Sequence, residues 1–197
     1  KRDGSTRCCV DYRSLNLITK RDCYPLPRID QCLDALGNNN CWFTVCDLRS
    51  GYYQVALAPK DRDKTAFISH RGQHRYNVLP MGLSNAPSTF QRLMDMVMSG
   101  LLFETCLVYL DDIIIFSRTL GEHLQRLEEV LQRLVATGLK LKPSKCRLLQ
   151  TRVEFLGHII SRDGIETDPA KTEAIAKWPT PRSVRDVRRF LGLCSYY

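Results

Sequence analysis

Two adjacent aspartates interrupt the most apolar stretch of the chain. Residues 106–116 read Cys-Leu-Val-Tyr-Leu-Asp-Asp-Ile-Ile-Ile-Phe, so that Asp111 and Asp112 are the charged side chains of this stretch. Apolar residues on both sides of a short break predict two strands joined as a hairpin, with the aspartates at its tip. Burying two like charges side by side is costly unless a partner offsets them. The pair therefore constrains both the fold and the chemistry of the chain.

A third aspartate ends another apolar run. Residues 41–47 read CWFTVCD, which predicts a strand that ends at Asp47. Aspartates favour turns for conformational reasons alone, but residues 110–112 contain no glycine or asparagine. If the two strands are neighbours in one sheet, three carboxylates converge, and divalent cations relieve their repulsion. Hard oxygen ligands without histidine or cysteine favour Mg²⁺ or Mn²⁺.

Such a site would suit phosphoryl transfer, because two carboxylate-held ions stabilise both the attacking and the leaving oxygen. The chain carries a net charge of +8, concentrated in residues 118–197, which hold 15 basic and 9 acidic side chains. This charge indicates a nucleotide or nucleic acid as partner, although a basic surface also arises from solubility alone. The residues by themselves leave two classes open, a nucleotidyltransferase and a metal-dependent nuclease.

Short strands and medium helices are mixed along the chain, which predicts an α+β fold. Predicted helices lie where apolar residues recur at helical spacing between start and stop signals, namely Pro27 to Gly37, Ser84 or Asn85 to Gly100, and the Thr119/Glu122 box to Gly138. Two shorter helices open at Asp168-Pro169 and at the Ser183/Asp186 box. Further strands are predicted at 52–57, and at 65–70 and 74–79 around a tight turn.

The nine cysteines form no CxxC pair, so their spacing favours neither a metal site nor a disulfide framework. Reduced thiols are therefore expected. No apolar run approaches the roughly 18 residues that a membrane span needs, and the first residues contain no apolar run that could serve as a signal peptide. An intracellular chain without a membrane partner is the expectation.

The Tyr-Leu-Asp-Asp box at 109–112 resembles the Tyr-x-Asp-Asp box of reverse transcriptases. A box of four residues recurs by chance, but eleven segments in fixed order resemble the Pol polyproteins of gypsy-class LTR retrotransposons. The five longest are FTVCDLRSGYYQV (43–55), LPMGLSNAPSTFQRLM (79–94), VYLDDIIIFS (108–117), HLQRLEEVLQRL (123–134) and WPTPRSVRDVRRFLGLCSYY (178–197). The chain is therefore similar to the reverse transcriptase domain of such an element.

This resemblance implies a right-hand polymerase fold with an antiparallel palm sheet packed on helices. Fingers would be 1–22 and 55–85, the palm 23–54 and 86–162, and the start of the thumb 163–197. The implied activity is RNA-directed DNA polymerisation, which transfers a dNMP to a primer 3′-hydroxyl with two Mg²⁺ (or Mn²⁺) ions, on an RNA or DNA template with primer. Because family members have longer fingers and a complete thumb, an inactive remnant that only binds nucleic acid is the alternative.

Roles for single residues also follow from the resemblance. Asp47 and Asp111 match the metal-binding aspartates of the palm, and Asp112 completes the acidic hairpin. Residues expected at the dNTP are Lys1, Arg7, Gly51, Tyr52, Met81 and Gly82. Among these, Arg7 would grip the triphosphate and Tyr52 would exclude a 2′-hydroxyl, unless it is simply a packed aromatic. A nuclease needs neither group, so these two favour the polymerase.

Two further sites follow in the same way. Phe155, Leu156 and Gly157 would form the primer grip. Lys145 is the candidate contact to the leaving pyrophosphate, with Lys140 and Lys142 as rivals.

Overall fold

The computed structural model describes residues 9–37 and 39–196. Lys1 and Arg7 of the expected dNTP site lie outside the described residues. The helices are α1 Arg13–Ile18, α2 Ile29–Leu36, α3 Ala86–Val97, α4 Leu120–Ala136, α5 Pro169–Ala176 and α6 Val184–Cys194. The strands are β1 Trp42–Asp47, β2 Phe67–Ser69, β3 Gly72–His74, β4 Cys106–Tyr109, β5 Asp112–Ser117, β6 Arg147–Gln150, β7 Arg152–Phe155, β8 His158–Ser161 and β9 Gly164–Thr167. Within this part of the chain, no helix is long and apolar enough to cross a membrane.

A four-stranded antiparallel sheet in the order β4-β5-β1-β6 forms the centre of the fold. Because side chains alternate across a strand, the isoleucines of β5 supply both faces. Ile113 and Ile115 pack with residues of α3 and α4, including Phe90 and Val130. On the other face, Ile114 packs with α2 and with the β7–β8 hairpin. Burial on both faces explains why these strands read as continuous apolar runs.

Several predictions of local structure are confirmed. The aspartate-tipped hairpin is β4 and β5, and β1 ends at Asp47 as expected. The side chains of Thr119 and Ser183 cap α4 and α6 by accepting hydrogen bonds from the backbone N–H groups three residues later. The eight described cysteines are free thiols, and Cys8 lies outside the described residues.

The strand predicted at 52–57 is wrong in its first half, while its second half is reduced to an isolated antiparallel bridge between Ala56 and Val78. A 3₁₀ helix, Gly51–Gln54, replaces the first half, preceded by Ser50 in the left-handed conformation with φ of 53°. The Gln54 amide donates to the carbonyls of Arg49 and Lys140, each at 3.0 Å, and accepts from the Lys140 N–H at 2.7 Å. These side-chain bonds to the backbone stabilise a tight turn that competes with the predicted strand.

Other boundaries also differ from the sequence predictions. Pro27 precedes α2, which starts at Ile29 after an extended Arg28. The strand predicted at 74–79 is displaced to Gly72–His74, and its pairing with Phe67–Ser69 places the turn at residues 70–71 rather than 71–73. Val78 of the predicted strand forms the isolated bridge with Ala56. On α4 the core-facing residues include His123, Val130 and Leu134, whereas Leu124 and Leu131 are exposed. The helical spacing of Leu124, Leu127, Leu131 and Leu134 predicts a single buried stripe, which is wrong at Leu124 and Leu131.

His123 is fully buried between two hydroxyl groups. Its Nδ1 lies 2.9 Å from Ser117 Oγ and its Nε2 lies 2.8 Å from Thr44 Oγ1. Because the Ser117 hydroxyl donates to the carbonyl of Thr119, it accepts from the imidazole, which assigns the proton to Nδ1. The neutral ring thus connects α4 to β1 and β5. Burial, reinforced by the Arg126 charge, lowers the pKa of this imidazole.

We therefore expect stability to depend on pH through His123. A lowered pKa in the folded state means that the unfolded chain binds the proton more readily. The stability that neutral His123 contributes is therefore complete above the ordinary histidine pKa of about 6.5. The free energy of unfolding should then fall below pH 6.5, by at most about 1.4 kcal/mol per pH unit. Denaturant titrations between pH 5 and 8 would measure this pH dependence of the unfolding free energy. His123→Gln should flatten the curve and the exposed control His70→Gln should not; equal slopes in all three proteins would contradict this role.

Candidate active site

Strand pairing brings the aspartates together. In the antiparallel register of β1 and β5, Asp47 lies directly opposite Asp112. Asp111 occupies the β4–β5 turn, and its carbonyl accepts a hydrogen bond from the Leu48 N–H at 3.4 Å. All three aspartates are partly buried. The edge of one sheet therefore carries a concentrated negative charge, as expected if the two strands were neighbours.

The pKa of Asp112 is raised above its ordinary value, mainly by burial and also by the negative charge of the Asp47 carboxylate. Lys145 acts in the opposite direction. Its ammonium Nζ lies 2.6 Å from Asp47 Oδ2, and it is supplied by the 3₁₀ helix Pro143–Lys145 just before β6. Of the three lysines considered from the sequence, Lys145 makes this ion pair, while Lys142 donates its backbone N–H to the Asp47 carbonyl at 2.8 Å.

By chemical type alone, the carboxylate donors of this edge suit a hard divalent cation. Carboxylate oxygens are the ligands that Mg²⁺ and Mn²⁺ prefer, and repulsion between the aspartates favours a bound positive charge. Across residues 9–37 and 39–196, no group of three or more histidine, cysteine, aspartate or glutamate side chains is arranged to hold a metal ion. The positive group beside Asp47 is the Lys145 ammonium, which offsets part of the negative charge of the carboxylates.

Gly51 leaves room for the carboxylate of Asp111. A Cβ atom at this position would lie 2.8 Å from Phe90 Cζ and 3.1 Å from Asp111 Cγ. Tyr52, the next residue, packs edge-on against Phe90 with ring centroids 5.2 Å apart. Burial and the Asp111 carboxylate together raise the pKa of the Tyr52 hydroxyl. Two residues that the resemblance assigns to the dNTP are thus neighbours of Asp111.

Gly51→Ala should destabilise the protein by about 1–3 kcal/mol, because the added methyl group overpacks a filled site beside the Phe90 ring. Thermal or denaturant unfolding would measure the loss. Gly192→Ala is the matched control, since a Cβ there meets no atom within 4 Å and alanine favours the helix by up to about 1 kcal/mol. If the unfolding free energy changes equally in the two variants, position 51 tolerates a methyl group and the predicted overpacking is wrong.

The other expected site residues lie at two more places. Gly82 has a positive φ of 96° and its carbonyl accepts from Asn16 Nδ2 at 2.9 Å, so the 81–82 turn is tied to α1. Leu156 and Gly157, with φ of 48° and 75°, form the tight turn between β7 and β8. Phe155 is buried at the end of β7. The β7–β8–β9 sheet that carries this turn is separate from the sheet of the aspartates.

Sequence reasoning missed Gln91, which is fully buried on α3 beneath the β4–β5 turn. Its Oε1 accepts from the Leu110 N–H at 2.8 Å, and its Nε2 donates to the Val108 carbonyl at 3.1 Å. Leu110 directly precedes Asp111 and has a positive φ of 55°. A glutamine next to the apolar stripe of Phe90 and Met94 was the available signal, since buried amides are normally hydrogen-bonded.

Comparison with known proteins identifies the class of protein that has this fold and site. Residues 1–160 match the family described as reverse transcriptase (RNA-dependent DNA polymerase). The chain belongs to this family.

Its curated relatives include retrovirus-related Pol polyproteins from transposons. The Pol polyprotein of transposon 297 from Drosophila melanogaster is 45% identical over 97% of this chain, and that of transposon gypsy from the same organism is 43% identical over 97%. The chain covers 18% of the length of each of these two relatives. The resemblance to gypsy-class Pol polyproteins is thereby confirmed.

Solved structures agree with this assignment. A structure of the foamy viral protease-reverse transcriptase in complex with double-stranded DNA matches all of this chain and 34% of that chain, with a TM-score of 0.89 and 27% identity. The same viral protein in complex with RNA/DNA hybrid matches 94% of this chain and 25% of that chain, with a TM-score of 0.80 and 26% identity. The expected α+β polymerase fold is confirmed.

Proposed function

We propose that this chain supplies the fingers, the palm and the start of the thumb of an RNA-directed DNA polymerase, with the boundaries predicted from the sequence. The reaction would join a dNMP to a primer 3′-hydroxyl on an RNA or DNA template. One observation carries the proposal: β1 and β5 place Asp47 opposite Asp112 beside Asp111, in a chain of the reverse transcriptase family. The foamy viral protein bound to double-stranded DNA and to RNA/DNA hybrid supports nucleic-acid partners.

Asp47 and Asp111 would hold two Mg²⁺ ions, and Asp112 would complete the negative field around them. When bound, the ions supply the charge that activates the primer hydroxyl and neutralises the leaving phosphates. The protein side chains position the reactants. Lys145 would direct positive charge toward the leaving pyrophosphate, because its ammonium already stands 2.6 Å from Asp47 Oδ2.

The remaining groups would orient the substrates. Lys1 and Arg7 would hold the triphosphate, and the Tyr52 ring would lie under the sugar beside Gly51. Met81 and Gly82 would lie near the incoming nucleotide. The β7–β8 turn with Phe155, Leu156 and Gly157 would hold the primer strand. Fixing the primer hydroxyl and the α-phosphate in one geometry converts a bimolecular reaction into an effectively unimolecular one.

Primer extension by two polypeptides tests this function. The first is the 197-residue chain, and the second carries, after Tyr197, the part of the transposon 297 Pol polyprotein that follows the matched region. We expect Mg²⁺-dependent extension by the longer polypeptide on an RNA template, and weaker or distributive extension by the shorter one. Tight binding without extension by either would support the remnant. Template cleavage without extension would support the nuclease.

Tyr52 should control the choice of sugar. Tyr52→Val removes the bulk that would meet a 2′-hydroxyl, so the ratio of ribonucleotide to deoxyribonucleotide incorporation should rise at least tenfold in the extending polypeptide. Tyr53→Val is the matched control, because Tyr53 stacks on Tyr76 at 6.0 Å between ring centroids rather than on Phe90. Single-nucleotide incorporation with dNTP or rNTP measures the ratio. Unchanged discrimination in Tyr52→Val would remove the assignment.

A further inference from the structure

A chain of side-chain hydrogen bonds runs through α3 to the turn that carries Asp111. It begins at Tyr24, whose hydroxyl donates to Asp95 Oδ2 at 2.6 Å. The other carboxylate oxygen, Asp95 Oδ1, accepts from Gln91 Nε2 at 2.9 Å. Gln91 then holds both Val108 and Leu110, as described above. The chain thus links a residue before α2 with the tip of the acidic hairpin.

The turn at Leu110 needs this support. A leucine with a φ of 55° occupies the left-handed region, which disfavours residues with a Cβ. Such a conformation persists only where surrounding contacts determine it. The Leu110 N–H bond to Gln91 Oε1 is one of those contacts. Since Asp111 follows immediately, a change in the Leu110 backbone would move the Asp111 carboxylate.

Gln91 can hold the turn in one orientation of its amide. Flipping the amide would place its NH₂ group against the Leu110 N–H and its oxygen against the Val108 carbonyl. The Asp95 carboxylate reinforces the observed orientation, because an ionised carboxylate only accepts hydrogen bonds and therefore requires the NH₂ group on its side. Asp95 stands four residues after Gln91 on α3, so both side chains share one helix face.

We propose that Asp95, held by Tyr24, is a positioning residue that fixes the Gln91 amide and thereby the Leu110 turn and the Asp111 carboxylate. The catalytic consequence rests on the polymerase function proposed above. Asp95 acts through Gln91 and touches no reacting atom. Tyr24 keeps the carboxylate in place by occupying its second oxygen, and this hydrogen bond, followed by burial, raises the pKa of the Tyr24 hydroxyl.

The neighbouring Arg92 provides a matched control. It also lies on α3 and contacts the same tyrosine, with its guanidinium carbon 4.8 Å from the Tyr24 ring centroid. Its charge is paired with Asp22 at 2.7 Å rather than with Asp95. Arg92→Ala therefore removes packing and an ion pair from the same region and leaves the Asp95–Gln91 bond in place.

Amide hydrogen exchange in the 197-residue chain tests the link without requiring activity. Asp95→Ala should accelerate exchange of the Leu110 N–H at least tenfold relative to the Ile115 N–H, which reports on the sheet as a whole. Tyr24→Phe should have a smaller effect in the same direction. Asp95→Asn retains an acceptor oxygen and should restore part of the protection. Arg92→Ala should leave the ratio of Leu110 to Ile115 exchange unchanged.

The kinetic counterpart uses the polypeptide that extends primers. Asp95→Ala should lower kcat about tenfold with little change in the KM for primer–template, and Asp95→Asn should recover part of the loss. An unchanged ratio of Leu110 to Ile115 exchange in Asp95→Ala, or an equal change in Arg92→Ala, overturns the proposal. A Leu110 response with unchanged kcat overturns its catalytic part. If Asp95→Ala accelerates Leu110 exchange but the longer polypeptide without this substitution never extends a primer, the positioning role is supported and the polymerase function is overturned instead.

Discussion

Asp111→Asn should abolish primer extension in the extending polypeptide and leave its affinity for primer–template nearly unchanged. The substitution keeps the size of the side chain and removes one negative charge and one strong metal ligand. Loss of a single electrostatic stabiliser costs enzymes about 10²–10³ in kcat, and loss of a metal ligand should cost at least the upper figure. A primer-extension time course, paired with a binding titration at several salt concentrations, gives both quantities.

Asp163→Asn is the control, because it changes the net charge equally at an exposed position between β8 and β9. It should extend primers at the parental rate. Extension by Asp111→Asn at more than a few per cent of that rate would remove Asp111 from the proposed catalytic group.

Thermal unfolding offers a second measurement on Asp111. In chelator, Asp111→Asn should be more stable than the parent chain, since one of three neighbouring like charges is gone. Added Mg²⁺ should raise the melting temperature of the parent more than that of the variant. An equal rise in both proteins would show that Asp111 belongs to no shared cation site.

The acidic hairpin and the end of β1 were predictable because the relevant signals are local. Asp47 ends one apolar run, and the pair Asp111-Asp112 divides another. Antiparallel pairing of those runs then brings their acidic ends together. The helix caps at Thr119 and Ser183 were predictable for the same reason, since a capping box spans only four residues.

The residues that hold the site in place were harder to predict from the sequence. Gln54 lies 86 residues from Lys140 in the chain, yet their hydrogen bonds turn the first half of a predicted strand into a 3₁₀ helix. Gln91 lies 19 residues before Leu110, and no sequence pattern couples an amide on a helix to a hairpin turn. The burial of His123 was not predicted, because leucines at neighbouring positions of α4 form a competing apolar face. Long-range polar contacts of this kind depend on tertiary packing and leave little trace in local spacing.

Lys145→Gln should affect the reaction much more than the stability of the fold. The Lys145 side chain is 55% exposed, although its ammonium lies 2.6 Å from Asp47 Oδ2, and exposed ion pairs contribute about 0–1 kcal/mol. A group that supplies charge or a proton to a leaving pyrophosphate is worth about 10²–10⁴ in rate. We therefore expect kcat for nucleotide incorporation to fall at least 100-fold, with a change of at most about 1 kcal/mol in unfolding free energy.

Lys142→Gln separates this role from a general loss of positive charge, because Lys142 contacts Asp47 through its backbone N–H, which the substitution retains. Its kcat should stay within about threefold of the parent. A second readout follows from the place that the ammonium occupies. The Lys145 ammonium lies against Asp47, where a divalent cation would also bind, so removing the ammonium should strengthen Mg²⁺ binding by the chain without nucleic acid. Calorimetric titration with Mg²⁺ would measure this. If Lys145→Gln binds Mg²⁺ no more tightly than Lys142→Gln and retains the parental kcat, the ion pair with Asp47 is a surface contact without a part in the reaction.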